Sequence, residues 1–440
     1  MNSFDNGIAV VGLGYIGLPT SAAIATQGVL VKGVDVSKAT VDAINRGEVL
    51  IVEPDLDVAV AGAFSRGKLV ASTEMPEADA FLIAVPTPFV DGNLPDLSNV
   101  QAAAEAIAPR LRGGEVVILE STSPPGTTRK VSEWIGAIRP DLQMPHEAPY
   151  PDVHIAHCPE RVLPGRIMIE LITNDRIIGG LTVECGRRAA EVYELFCQGE
   201  ILFTDAESAE MAKLVENSFR DVNIAFANEL SEISKHLGLD VWEIIRLANR
   251  HPRVNVLNPG PGVGGHCIAV DPWFIVAAAP EKAKLIRSAR EINDARPFTV
   301  SREIQAEASK DDLPIACLGL AFKANIDDLR ESPALSVTRQ VAEALPSRRI
   351  LAVEPHVSEL PPALSSFSNI DLVSLQEALD CAGTIALLVD HSQFAEIDQG
   401  YLAAKRVIDT RGMWADGRSH LEQPSGQVPG PNVSSPPRQG

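Results

Sequence analysis

The sequence predicts an α/β protein: two doubly wound parallel sheets joined by a central helical region that contains one long spine helix. Three observations carry this expectation. Strand-length apolar runs alternate with helical patterns over residues 1–200, the same alternation returns over 310–414, and the intervening stretch 204–300 follows helical spacing instead. A chain of 440 residues that is 45% hydrophobic has ample material for more than one core.

Taken in order, Ile8 to Val11 is the first strand run, followed by Gly12, Gly14 and Gly17 and an alanine-rich helical stretch from Ser21. VLVKGVDV is a second strand ending near Asp35, and the runs Ala80 to Val85 and Glu115 to Leu119 flank a helical pattern from Val100 to Arg110. Thr204-x-x-Glu207 reads as a capping box that opens the spine helix, whose apolar positions Met211, Leu214, Val215, Val222, Phe226, Leu230 and Ile233 keep helical spacing. A second helix is expected over Val241 to Ala248, and His251 to Asp271 is too rich in Gly and Pro for either regular element. From Leu313 the segments LPIACLGL, RRILAVEP, GTIALLV and RVIDT rebuild a second α/β domain that ends near Trp414. Residues 415–440 are expected to be a disordered tail without a catalytic role, since 11 of the 17 residues from Pro424 to Gly440 are Pro, Gly or Ser.

A formal charge of -20 argues against nucleic acid as a partner, because a polyanion needs a basic surface. No apolar run approaches the roughly 20 residues a membrane span requires, and the N-terminal residues lack a basic stretch leading into an apolar core. Cytoplasmic residence is therefore expected, with no membrane insertion. Six cysteines lie scattered without CxxC or CxxH spacing, so neither a zinc site nor a disulfide framework is indicated and no metal is expected.

Gly12-Leu-Gly14-Tyr15-Ile16-Gly17 follows a strand and opens a helix, the arrangement in which glycines permit a tight turn and a close approach of backbone to a pyrophosphate. Asp35 lies 18 residues beyond Gly17 at the end of the second strand, where a carboxylate accepts ribose hydroxyls and repels a 2′-phosphate, so NAD is expected rather than NADP. The loops AVPTP, with Thr87, and ESTSPPGTT, with Thr122 and Thr128, fall at the carboxyl ends of strands, where ligands of such sheets bind.

Lys213 and Asn217 stand i, i+4 on the spine helix, with Arg220 and Asp221 on nearly the same face. A solvated face would explain them, but polar groups on an otherwise apolar helix between domains also line clefts. Downstream, Gly260, Gly262, Gly264 and Gly265 lead straight into Cys267. A cysteine beside glycine N–H groups can be held as thiolate, a good nucleophile toward an aldehyde.

The blocks GLGYIGLP, AVPTP, ESTSPPGTT, CPERVLPG, AEMAKLVENSFRDVNIAFANEL, HPRVN, PGPGVGGHCIAVDPW and GLAFKANIDDLRESP occur in this order, and together they closely resemble the UDP-glucose/UDP-N-acetylmannosamine dehydrogenase family over residues 7–414. PERVLPG, the Arg220-Asp221 pair, HPRVN and GGHCIAVDP look like its N-acetylmannosamine branch. The resemblance implies two Rossmann-like domains, the first for NAD and the second for UDP, with a homodimer made through the helical middle. It implies oxidation of a sugar C6 alcohol to a carboxylate in two hydride transfers, supplying a uronic-acid sugar nucleotide for cell-surface polysaccharide. Carried over residue by residue, Cys267 is the nucleophile, Lys213 an acid/base or oxyanion-stabilising group, and Asn217 and Asp271 its polar neighbours. Glu160 and Thr122 would position water near the nicotinamide. Arg161, Val162, Arg220, His251, Arg253 and Gly264 would contact the nucleotide sugar, with Arg253 or its neighbours reaching in from the other subunit. Lys323 would lie near the UDP phosphates and Arg330 near NAD. UDP-N-acetylglucosamine and UDP-glucose stand as alternative substrates. A two-electron dehydrogenase of the 3-hydroxyacid kind shares the first domain and the Lys-x-x-x-Asn pair, but it needs no thiol and has no second α/β domain.

Overall fold

The structure, a computed structural model, describes residues 4–51, 53–90, 92–163, 165–265 and 267–415. The expected disordered tail therefore lies, apart from Ala415, outside the described residues. The chain divides into two compact units. One holds the described residues up to Glu229 together with Val263–Asp294, and the other holds Leu230–Gly262 and the described residues from Ala295 onward.

The first unit is built on strands β1 (Ile8–Val11), β2 (Val31–Val34), β3 (Leu69–Ser72), β4 (Ala80–Ile83), β7 (Val116–Leu119), β8 (His154–His157), β9 (Arg176–Gly180) and β10 (Ile201–Asp205), with a small hairpin of β5 (Phe89–Val90) and β6 (Leu94–Pro95) beside them. The main sheet has the order β10-β9-β8-β7-β4-β1-β2-β3. Every residue of β1, β4 and β7 is buried, as strands covered on both faces of a parallel sheet must be. Their registers align Val11 with Ile83, Ile83 with Leu119 and Leu119 with His157, so four strands end level. The segments that follow them, Gly12–Gly17, Val85–Thr87, Glu120–Thr128 and Cys158–Val162, consequently leave from one edge of the sheet.

Two features depart from the sequence expectation. From β3 across to β8 all neighbours are parallel, but β9 is antiparallel to β8 and reverses the last pair of strands. β8 and β9 are joined through the 7-residue helix Ile167–Thr173. Thr204 lies inside β10 and caps nothing. The long helix Ala206–Leu237 is instead capped by Asp205, whose carboxylate accepts from the Ser208 amide at 2.8 Å and the Ser208 hydroxyl at 2.7 Å. Glu207 pairs with Arg129 at 3.2 Å.

That helix of 32 residues also inverts the usual amphipathic arrangement. Glu210, Lys213, Ser218, Asp221 and Asn228 are buried, whereas Val215, Phe219, Phe226, Ile233 and Leu237 are exposed, Phe219 to 70%. Helical spacing identified an apolar set but could not say which of it meets the core: Leu214 is buried with Met211 packed beside it, while Val215, Phe226 and Ile233 are exposed.

The second unit contains a sheet ordered β13-β12-β11-β14-β15, from β11 (Ile315–Leu318), β12 (Ile350–Val353), β13 (Ile370–Leu372), β14 (Thr384–Leu387) and β15 (Arg406–Asp409). All of its pairs are parallel. The sequence shows four of these strands; β13 has 3 residues, too short for a periodic signal. The helix Val241–Ala248 forms as expected, capped by Asp240, which accepts from the Trp242 amide at 2.9 Å. No described helix is long and apolar enough to cross a membrane.

Replacing the true cap tests this account of the long helix. Asp205→Ala is expected to cost about 1 kcal/mol in denaturant unfolding, while Thr204→Ala leaves the midpoint within about 0.5 kcal/mol of the native value.

Candidate active site

The three glycines after β1 play separate parts. Gly12 turns with φ 92°, where a Cβ would come within 2.5 Å of the Ala84 carbonyl. A Cβ at Gly17 would collide with the Gly12 carbonyl, and Gly14 faces open space. Beside them lies a cavity of about 190 Å³ lined by Leu13, Gly14, Tyr15, Asp35, Thr40 and Ile44 among others. Asp35 is fixed at its wall, one carboxylate oxygen accepting from the Leu13 amide at 2.9 Å and the other from the Ser37 amide at 2.8 Å. An open backbone approach with a held acid beside an apolar pocket fits the adenosine half of a dinucleotide. Ile16 is half-buried just ahead of the helix that Gly17 opens.

The neighbouring loops are tied together. The Thr87 hydroxyl donates to the Thr122 carbonyl at 2.6 Å. Thr128 is wholly buried, and its hydroxyl and amide both donate to Glu210, at 2.6 and 2.7 Å, while the Gly126 amide reaches the other oxygen at 2.6 Å. Thr128 thus holds the helix Thr127–Ile138 to the long helix, and Glu210, which the sequence reading did not single out, is the group that holds it.

One turn beyond Glu210 stands the chemical cluster. Asn217 Nδ2 donates to Asp271 Oδ2 at 2.5 Å, and Asp271 opens the helix Asp271–Ala278. The Val270 and Asp271 amides both bond the Cys267 carbonyl, at 3.1 and 2.9 Å, so exposed Cys267 and buried Asp271 belong to one turn. Burial pushes the Asp271 carboxyl up to about 6, against the opposing pull of Asn217 and the Lys213 ammonium. Burial also raises Glu160, opposed by Lys213, Arg176 and the amides of Val162 and Arg161. Lys213 therefore acts on both carboxyls from a position only 8% exposed.

Behind Glu160 lies a carboxyl that the sequence reading missed. Glu120 ends the β7 segment, is buried, and accepts from the Tyr193 hydroxyl at 2.8 Å. Burial pushes it up to about 7 although the Arg176 guanidinium draws it down. Its chain signal was a lone Glu after an apolar strand; Arg176 and Tyr193, its partners, are 56 and 73 residues away and carry no local pattern.

The chain matches three consecutive segments of one family: the NAD binding domain over 6–197, the central domain over 207–295 and the UDP binding domain over 316–416 of the UDP-glucose/GDP-mannose dehydrogenase family. The chain belongs to that family. It is 56% identical over 413 residues to an NDP-N-acetyl-D-galactosaminuronic acid dehydrogenase of Ralstonia nicotianae, covering 93% of this chain and 97% of the relative. It is 54% identical over 417 residues to the UDP-N-acetyl-D-mannosamine dehydrogenase of Escherichia coli K12, covering 92% and 99%. Among solved structures, a UDP-D-ManNAc dehydrogenase from Pyrococcus horikoshii superposes with a TM-score of 0.81 at 36% identity, covering 96% of this chain and 97% of the other. The protein is an NAD-dependent UDP-sugar dehydrogenase.

In this dehydrogenase the remaining expected residues take varied positions. Arg161 bonds Glu216 at 2.7 Å, Val162 packs against the apolar core, Gly264 is half-buried and Arg220 is exposed. In the second unit His251 and Arg253 are exposed beyond the helix Val241–Ala248, the Arg253 amide donating to His251 Nδ1 at 3.3 Å. Lys323 is exposed on the loop after β11, and Arg330 forks onto Asp328 at 2.9 and 2.6 Å. That loop is clamped by groups the sequence reading missed. Glu354, at the end of β12, accepts from the Leu320 and Ala321 amides at 2.7 and 3.0 Å and meets His391 Nε2 at 3.1 Å. His391 Nδ1 accepts from the Asn325 amide at 2.9 Å. His356 completes a trio with ligand-like spacing. With Nδ1 accepting, however, neutral His391 carries its proton on Nε2, which suits a hydrogen bond to Glu354 and not a metal. The overlooked signal was positional: Glu354 in RRILAVEP repeats the place of Asp35.

Glu120 makes stability depend on pH. Native Glu120 keeps its proton up to about 7 while the unfolded chain releases it near the ordinary carboxyl value of 4.5, so unfolding releases a proton between those values and stability falls as pH rises through the window. The loss is on the order of 3 kcal/mol from this group. Glu120→Gln, which still accepts from Tyr193, is expected to flatten the thermal-unfolding profile between pH 5 and pH 8 relative to wild type, to a degree set by roughly that energy.

Proposed function

We propose that this dehydrogenase oxidises the C6 alcohol of UDP-N-acetylmannosamine to the uronate through a covalent intermediate on Cys267. The observation that carries the reading is the single turn joining exposed Cys267 to Asp271, with Asn217 bonded to that acid and Lys213 acting on it. NAD would supply the hydride acceptor, one molecule for each of the two hydrides that a four-electron oxidation must release. In the first oxidation Lys213 relays the hydroxyl proton, taking it as it passes one of its own to the Asp271 carboxylate, and the charge it retains steadies the developing oxygen charge. The Cys267 sulfur then forms a bond to the aldehyde carbon, and the proton needed by the new hydroxyl comes back from Lys213. Loss of the second hydride, with that hydroxyl proton returning through Lys213 to Asp271, leaves a thioester. Water adds to its carbonyl, Glu160 takes the water proton with Thr122 helping to place the molecule, and the carbon–sulfur bond breaks to return the thiolate.

Asp35 with Gly12, Gly14, Tyr15, Ile16 and Gly17 holds the adenosine and pyrophosphate of the cofactor, Thr87, Thr128 and Arg330 contribute to its site, and Lys323 meets the UDP phosphates. Arg161, Val162, Arg220, His251, Arg253 and Gly264 contact the nucleotide sugar. Residues 1–200 act as the NAD domain, 204–300 as the catalytic and dimerising region and 310–414 as the UDP domain, in the cytoplasm. The product is a donor for acidic cell-surface polysaccharide. A second reading replaces the mannosamine by its galacto-configured isomer, favoured by the 56% identity to a relative named for N-acetylgalactosaminuronic acid.

Purified protein with NAD should be offered the UDP-linked N-acetylmannosamine, N-acetylgalactosamine, N-acetylglucosamine and glucose, counting NADH per sugar. Two NADH with the manno sugar at the highest kcat/KM is expected; the galacto sugar leading instead establishes the second reading. Cys267→Ala should lower turnover by at least about a thousandfold while NAD binds as before, and two NADH per sugar at native rate from that variant would end the covalent reading.

The exposed stripe Val215, Phe219, Phe226, Ile233 and Leu237 supports a homodimer made along the long helix, since a contiguous apolar face on a helix of this length calls for a partner. In sedimentation velocity the wild type should run as a dimer and the Phe219→Asp/Phe226→Asp variant as a monomer; an unchanged sedimentation coefficient places the interface elsewhere.

A further inference from the structure

The buried polar face of the long helix continues past the cluster already described. Lys213, Asn217 and Asp221 follow one another at i, i+4 and i+8, and the first two act on Asp271. The third is completely buried and meets Arg290, itself 1% exposed, on the helix Lys284–Ala308 at 2.5 Å. Asn293 Nδ2 donates to the same Asp221 oxygen at 2.8 Å and to the Asp221 carbonyl at 3.0 Å, and Asn228 Nδ2 donates to Asn293 Oδ1 at 2.9 Å. The guanidinium also turns Nη2 to Asp294 and Nη1 to the carbonyl of Ile268, at 3.5 Å. Ile268 is the residue after Cys267. One helix face thus grips both ends of the 267–271 turn, Asp271 through Lys213 and Asn217, and Ile268 through Asp221 and Arg290.

This pair is a poor device for stability alone. Asp221 Oδ2 and Arg290 Nε are buried without a hydrogen-bond partner among the described residues, and burial raises the Asp221 carboxyl even against Arg290. An incompletely satisfied buried ion pair is commonly no better than well-packed apolar side chains of similar volume. The turn, by contrast, needs an outside hold. It is entered through Gly264 and Gly265, the latter left-handed at φ 82°, and glycines impose little direction of their own.

We propose that Asp221 and Arg290 are positioning residues that fix the Cys267 turn against Lys213 and Asp271. The proposal rests on the reading of Cys267 as nucleophile, so the experiment runs Cys267→Ala alongside. The test variant is Asp221→Leu/Arg290→Met, an apolar replacement of both charges. Three quantities are read: thermal unfolding, kcat with KM for NAD, and the rate at which iodoacetamide alkylates Cys267, followed by mass spectrometry of its peptide. The double variant is expected to fold with a Tm within a few degrees of native and an unchanged KM for NAD. Its kcat should fall at least about tenfold and its Cys267 alkylation rate should change at least about threefold, readouts that a purely structural pair would leave alone. A folded double variant with native kcat and native alkylation rate overturns the positioning role. An active Cys267→Ala overturns the nucleophile reading instead. Should the double variant fail to fold, Asp221→Asn, which keeps the size and the Asn293 contact, carries the same readouts to the same decision.

Discussion

The site depends on a helix that buries its charges. Placing Glu210, Lys213 and Asp221 of Ala206–Leu237 against the interior costs several kcal/mol per unpaired charge, so each must find a partner. Glu210 finds the amides at the start of Thr127–Ile138, Lys213 the carboxyls of Asp271 and Glu160, and Asp221 the fork of Arg290. Those obligations fix, from one rigid element, the loop after β7, the acid that follows Cys267, and the backbone beside Cys267. The exposed apolar side of the same helix follows from the same inversion: with polar groups occupying the core face, Phe219 and Phe226 have nowhere to go but outward.

The two sheets show how one topology serves two ligand classes. Each places an acid at the end of its second strand, Asp35 in the first and Glu354 in the second, and each acid accepts from amides of the preceding strand's loop. Asp35 borders an open pocket with both oxygens only lightly used. Glu354 takes three amides and His391, from Leu320, Ala321 and His356 onward, leaving little capacity for a ribose hydroxyl. An acid that borders an open pocket in one domain is a loop clamp in the other, in keeping with a second domain that belongs to the UDP-binding class.

How much was legible in the chain follows from how local each signal is. Strands buried on both faces, such as β1, β4, β7, β11 and β14, are continuous apolar runs and were plain. The reversal at β9 and the brief β13 were not, because an apolar run carries no mark of strand direction and a 3-residue strand has no period. Lys213, Asn217 and Cys267 stand in compact motifs and could be read directly, whereas Asp271 came only with the family resemblance. Glu120, Arg176, Tyr193, Glu210, Asp221 and Arg290 act through partners tens of residues distant, and only folding brings them together. Amphipathic spacing revealed the apolar stripe of the long helix without saying what it faces, since period alone does not separate a core from an interface.

Electrostatics explain why the buried carboxyls are arranged in depth and not side by side. Glu120, Glu160 and Asp271 are three buried acids served by two buried cations, Arg176 and Lys213. Full ionisation would leave a net negative charge in a medium that solvates it poorly, so burial raises all three acids, and near neutrality the cluster retains a proton. Glu160 lies between the two cations in its electrostatics: Lys213 and Arg176 both pull it down while burial pushes it up. Asp271 reaches a similar balance by different means, through Asn217 as hydrogen-bond donor and Lys213 as counter-ion. The shared term is Lys213. Its position on the inverted helix therefore couples Asp271, in the turn that follows Cys267, to Glu160, and no arrangement with that lysine on a solvated face could do so.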